Sequence, residues 1–214
     1  MRRYAIFLTA WIASGLGTPV LASPGSNGVE SLIRDCVNCH GSQGVSADQA
    51  YPTIGGMSTF YLDDQLRTYR AGGRPCEPVK YRLNNAGRKP VSMCEVAKKL
   101  SDADIAIVAG YFSKQVFVPA KQPFDPKLAK MGRMLHAERC GRCHSEGGNF
   151  ADDDAGILAG QWKPYLEEVF REFRAGVRRG PEKMKPQIDG LTDAEARALI
   201  EYYLSEQGDN GSGQ

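Results

Sequence analysis

The sequence predicts an all-α protein made of two tandem copies of one small domain. Three observations carry that reading. A pentapeptide Cys-x-x-Cys-His occurs twice, the residues around its two copies correspond, and apolar residues recur at helical rather than strand spacing. Placing Cys36 on Cys140 sets an offset of 104 (140 − 36). That offset carries Gly56 onto Gly160, Tyr61 onto Tyr165, Leu62 onto Leu166, and Tyr69-Arg70-Ala71-Gly72 onto Phe173-Arg174-Ala175-Gly176. Beyond these glycines the register changes. Leu100-Ser101-Asp102-Ala103 corresponds to Leu191-Thr192-Asp193-Ala194 at an offset of 91, so the first half carries about 13 extra residues (104 − 91).

The elements follow in order. Residues 1–22 read as a cleaved signal peptide, with Arg2 and Arg3 ahead of an apolar run from Tyr4 to Leu21 and small residues at Val20-Leu21-Ala22. Ser14, Gly15, Gly17 and Pro19 interrupt the run, which suits a signal better than a membrane-spanning helix. Residues 23–115 form the expected first domain, opening on a Gly/Ser-rich stretch from Ser23 to Gly28. It contains a helix ending in the first pentapeptide, a helix from Ser58 to Arg70 stopped by Gly72, an insertion near 73–94, and a helix capped at Ser101. Residues 116–124, with Pro119 and Pro123, read as a linker. The second domain, 125–207, repeats the plan with helices over Asp125–Cys140, Pro164–Arg174 and from Thr192 onward. Ser101 with Asp104, and Thr192 with Glu195, have capping-box spacing. Residues 208–214 are a Gly/Ser-rich tail.

Without its signal the chain carries 25 basic (27 − 2) and 25 acidic side chains, which gives no support to a nucleic-acid partner. No second segment is long and apolar enough to span a membrane, so the mature protein is expected in the periplasm.

The pentapeptides are Cys36-Val37-Asn38-Cys39-His40 and Cys140-Gly141-Arg142-Cys143-His144. This is the attachment pattern of c-type haem. Two cysteines three residues apart reach the two vinyl groups of one porphyrin, and the following histidine falls beneath the iron. Two covalent haems are therefore expected, on Cys36 and Cys39 and on Cys140 and Cys143, with His40 and His144 as axial ligands. A zinc site would need four ligands, and His136 is the one further histidine. A thioredoxin-like pair would need an α/β pattern that is not present.

A methionine in the sixth position closes the iron and raises its potential, which suits electron transfer. The duplication selects the candidates. Met93 and Met184 each lie eight residues before the cap of the last helix (101 − 93 and 192 − 184), whereas Met57 maps onto Gln161. Met131 and Met134 read as core or haem-edge residues, and His136 as a partly exposed helix residue. Cys76 and Cys94 bracket most of the insertion, and in an oxidising compartment they are expected to form a disulfide worth roughly 3 kcal/mol. Metal binding by the pair, or Cys94 as a ligand or reactive thiol, are the alternatives. The insertion is also basic: Arg74, Lys80, Arg82, Arg88, Lys89, Lys98 and Lys99 oppose Glu77 and Glu95. It reads either as a partner-steering patch or as a solvated face.

The second half resembles the dihaem cytochrome subunit of flavocytochrome c sulfide dehydrogenase. The resemblance runs through Pro119-Ala120-Lys121-Gln122, Phe124-Asp125, Leu135-His136, the second pentapeptide, Glu146-Gly147-Gly148, Ile157-Leu158-Ala159-Gly160-Gln161-Trp162, Pro164-Tyr165-Leu166 and Lys183-Met184. The first half matches through its haem motif, its methionine and Ala109-Gly110-Tyr111-Phe112. The resemblance implies two class I cytochrome c domains and a non-catalytic electron relay. A partner flavoprotein holding FAD would oxidise sulfide, and electrons would pass through both haems to a soluble cytochrome or other redox acceptor. The stapled basic insertion departs from that family. A free-standing dihaem shuttle to a terminal oxidase and a thiosulfate-oxidising haem enzyme remain the competing expectations.

Overall fold

A computed structural model describes residues 26–79 and 89–208. The expected signal peptide, residues 80–88 of the insertion, and the tail beyond Gly208 lie outside them. The described residues form α1 (Ser26–His40), α2 (Thr59–Arg70), α3 (Met93–Lys98), α4 (Asp102–Ser113), α5 (Pro126–Leu135), a single kinked turn α6 (Ser145–Gly148), α7 (Lys163–Arg174), α8 (Lys185–Asp189) and α9 (Asp193–Ser205). Among them there is no strand, only an isolated antiparallel bridge between Val79 and Val91.

The helix starts are set by side chains. Ser101 and Thr192 each accept a bond from the backbone N–H three residues on, while Asp104 and Glu195 accept from the cap N–H. Ser92 and Glu95 make a third such box at the start of α3. Each reciprocal cap satisfies two otherwise orphaned donors and stabilises its helix by about 1 kcal/mol. Ser58 caps α2 through Tyr61 N–H, and Asp125 caps α5 through Lys127 and Leu128.

Two cores result. In the first half Ile33, Leu62, Val108 and Phe112 pack from α1, α2 and α4, and the buried Met57 fills the space between them. In the second half Leu166, Phe170, Leu199 and Tyr203 pack from α7 and α9, with Leu135 at the edge. α5 crosses α9 at close range because Gly132 has no side chain. A Cβ there would lie 2.0 Å from the Ala198 carbonyl oxygen and 2.7 Å from Tyr202 Cβ.

The halves are docked against each other. Ile157 of the second half is buried in the core of the first. Gln161, fully buried, accepts from Thr53 N–H and donates to Thr53 O, both at 2.9 Å. Trp162 Nε1 donates to Ser46 O at 3.1 Å. Residues expected as a linker take part: Phe117 packs against the first core, and Ala120 N–H donates to Gly160 O at 2.7 Å.

Candidate metal centres

In the first half the pentapeptide is the last turn of α1, which brings Cys36, Cys39 and His40 to one end of the helix. His40 is only 7% exposed, and its Nδ1 lies 2.8 Å from Pro52 O. A carbonyl can only accept, so Nδ1 carries the proton and Nε2 keeps its lone pair for a metal. Burial lowers the His40 pKa, and the Pro52 bond partly opposes it, so the ring is neutral. Burial, assisted by the charge of Asp35, pushes the Cys36 thiol up to about 12. Cys36, Cys39, Cys140 and Cys143 are not joined in disulfides, whereas Cys76 and Cys94 are, with their Cα atoms 5.8 Å apart.

In the second half α5 runs into a π-helical turn, His136–Cys140, before the pentapeptide ends at His144. The His144 ring is half-buried, and burial and the nearby His136 lower its pKa. Among the described residues nothing holds its Nδ1 as Pro52 holds that of His40. By the duplication Pro52 corresponds to Gly156, and a Cβ at Gly156 would meet the Tyr61 hydroxyl at 2.7 Å. The position is reserved for a ring from the other half.

Met93 is the first residue of α3 and is half-buried; it is not part of the first core, whose edge includes Cys36. Met184 lies immediately before α8 and packs, with Cys140, against the second core. It also lines a cleft of about 570 Å³ together with Phe173, Arg178, Pro186 and Ile188.

Three sequence expectations need correction. His136 is buried, only 5% exposed, with Nδ1 3.1 Å from the Tyr203 hydroxyl and its ring against Tyr202 and Tyr203. It follows Gly132 of α5 by four residues, and that spacing was the available signal. Met131 and Met134 are 46% and 62% exposed, which removes the core reading and leaves the haem-edge one. Arg74 is buried, 7% exposed, and does not belong to a basic surface. Lys80, Arg82 and Arg88 lie outside the described residues.

Arg74 belongs instead to a pair that sequence reasoning missed. Its partner is Arg178, 104 residues on, and both follow a Gly-x pair, Gly72-Gly73 and Gly176-Val177. Arg74 lies 4.1 Å over the Tyr69 ring and donates to Gln65 Oε1 at 2.8 Å. Arg178 lies 4.8 Å over Phe173, the counterpart of Tyr69, and donates to Glu172 at 3.3 Å. Both guanidiniums act on the buried Tyr165 phenol. Burial alone would raise its phenol, but Arg178 and Arg74 outweigh burial and bring it down to about 8. Glu172 is the buried carboxylate beside this pair, and the Nε of each arginine is buried with no partner. Two buried guanidiniums with orphaned donors call for further anionic oxygen. The propionates of haems attached at the two pentapeptides are of that chemistry. Thiols for the vinyls, imidazoles for the irons and buried cations for the carboxylates together fit two haems c.

A family profile described as cytochrome c oxidase, cbb3-type, subunit III, matches residues 127–202. The chain is 33% identical to a cytochrome c4 of Stutzerimonas stutzeri over 186 residues, 81% of this chain and 85% of the relative. It is 28% identical over 219 residues to a thiosulfate dehydrogenase electron acceptor of Thiomonas intermedia, covering 96% of this chain and 94% of the relative. Among solved structures, reduced recombinant cytochrome c4 from Pseudomonas stutzeri superposes with a TM-score of 0.67 at 28% identity, covering 85% of this chain and 98% of that one.

Proposed function

The chain belongs to the cytochrome c4 family of two-domain cytochromes with covalently bound haem c, and on that premise we propose that it is a periplasmic carrier taking electrons from a sulfur-compound dehydrogenase. When bound, haem supplies a one-electron iron couple in each half. The protein's own residues do the rest. Cys36, Cys39, Cys140 and Cys143 fix the macrocycles by thioether bonds. His40 with Met93, and His144 with Met184, would hold the irons, and a fully ligated iron would suit electron transfer rather than oxygen or peroxide chemistry. Arg74 and Arg178, each with a buried Nε lacking a partner, would neutralise propionate charge and so favour reduced haem. Residues 1–22 direct export, and the Cys76–Cys94 disulfide suits the oxidising compartment this implies.

The observation that carries the reading is the repetition, in each half, of a pentapeptide and a methionine eight residues before a helix cap. Two saturated irons make a relay rather than a catalytic site. The similarity to a thiosulfate dehydrogenase electron acceptor along 96% of the chain favours a thiosulfate-oxidising enzyme as the donor.

The test is reduction of the purified dihaem protein, followed by its visible spectrum. With thiosulfate and a thiosulfate dehydrogenase, both haems are expected to reduce; with thiosulfate alone, neither. Rapid reduction by a sulfide-oxidising FAD enzyme, with none by the thiosulfate enzyme, would replace this donor with the flavoprotein. Turnover of thiosulfate by the chain alone would make it the enzyme.

A further inference from the structure

The two methionine segments are held in different ways. From Gly176 to Met184 the second half uses 8 residues (184 − 176), and Met184 is fixed by its N–H bond to Pro181 O at 2.9 Å and by packing on the core. From Gly72 to Met93 the first half uses 21 residues (93 − 72), and Met93 is not packed into the first core. A longer loop explores more positions, so its end is less well placed by chain connectivity alone. The disulfide acts at that point. Cys94 follows Met93 directly, and Cys76 lies two residues from the buried Arg74. Both sulfurs approach the Arg74 carbonyl oxygen, Cys76 Sγ at 3.5 Å and Cys94 Sγ at 4.0 Å. The crosslink thus ties the first turn of α3 to a chain segment anchored on Tyr69 and Gln65 of α2. Val79 and Val91 form an antiparallel bridge bonded in both directions at 2.9 Å.

We propose that the Cys76–Cys94 disulfide is a positioning device for the first haem, holding Met93 on its iron across a loop too long to place it otherwise. The proposal rests on Met93 being the axial ligand. It is specific to one half: no disulfide among the described residues touches the Met184 segment, so the second haem is an internal reference in the same molecule.

The experiment compares holo protein with Cys76→Ser/Cys94→Ser, reading the methionine–iron charge-transfer band of the oxidised protein and carbon monoxide binding by the reduced one. The variant is expected to lose half the band, to bind one carbon monoxide per chain, and to show a lowered potential at the first haem alone. Replacing residues 80–90 of that variant by Asn-Gly, a two-residue turn suited to the Val79–Val91 pair, is expected to restore the band by shortening the loop. An intact band in the double-serine variant, loss of both haems' signals together, or failure of the shortened loop to restore the first would each overturn the proposal. Met93→Ala separates the premise: if both bands survive that change, Met93 is not the ligand, whereas loss of one band with an intact double-serine protein removes only the role of the disulfide.

Discussion

The two halves keep the same spacing of pentapeptide, methionine and helix cap as proposed ligands, yet hold these residues by different means. In the first, the histidine is tightly held and the methionine stands at the end of a long, crosslinked loop: His40 Nδ1–H donates to Pro52 O at 2.8 Å, and Met93, the first residue of α3, stands beside the Cys76–Cys94 disulfide. In the second, the methionine packs half-buried against the core, and the position matching Pro52 is Gly156, seated under Tyr61. The difference teaches where duplicated domains are free to diverge. Positions proposed to hold the irons repeat, whereas positions at the junction specialise because each has a different neighbour. Met57 and Gln161 illustrate this, one filling a core and the other clipping both backbone groups of Thr53 across the junction.

The largest effect expected from breaking the comparison is at the packed methionine. Met184→Ala should open the second iron and lower its potential by about 59 mV or more, at least a tenfold change in its redox equilibrium. Met57→Ala should leave both potentials and both charge-transfer bands unchanged while costing about 2–5 kcal/mol of stability, because it empties core volume. Redox titration of the two variants decides this. An unshifted potential in Met184→Ala would remove the methionine from the iron.

Next in size is the helix crossing. Gly132→Ala would drive a Cβ into the Ala198 carbonyl, backbone against backbone, where no rotamer can yield. A loss of about 3 kcal/mol is expected, at the upper end of overpacking costs. Thermal unfolding followed at the second haem should move, and an unchanged midpoint there would mean that α5 and α9 can part without penalty. The junction comes third. Gln161→Leu leaves the N–H and C=O of Thr53, itself 1% exposed, without partners, at about 2 kcal/mol. Loss of stability shared by both halves, seen in denaturant unfolding, is the expected result.

Much of this architecture was legible in the sequence because its cues are local. Capping pairs three residues apart, helical apolar spacing and a duplicated pentapeptide each need only a short window, and the structure places α4 and α9 one residue after their caps. What escaped depends on contacts between segments far apart in the chain. Arg74 looks like one more surface cation until Arg178, Tyr165 and Gln65 enclose it from both sides. His136 looks half-exposed until the close crossing allowed by Gly132 brings Tyr202 and Tyr203 of α9 over its ring. A single-helix periodicity carries no information about how closely a second helix approaches, and that approach decides both burials.

The smallest effect sharpens the comparison most, because it concerns one proton. A hydrogen bond from Nδ1–H to a fixed carbonyl makes the imidazole a stronger donor to the metal, and this favours the ferric state. His40 has that bond and His144 lacks it among the described residues, so the first haem should have the lower potential and the first electron should rest on the second. Pro52→Gly, which copies the second half into the first, should loosen the carbonyl and raise the first haem toward the second by less than about 59 mV. Resolved potentials from a stepwise redox titration of both proteins are the measurement. If the first haem were the higher in the unmodified protein, the hold on His40 would not be what separates the two irons, and the asymmetry would have to come from the methionine side.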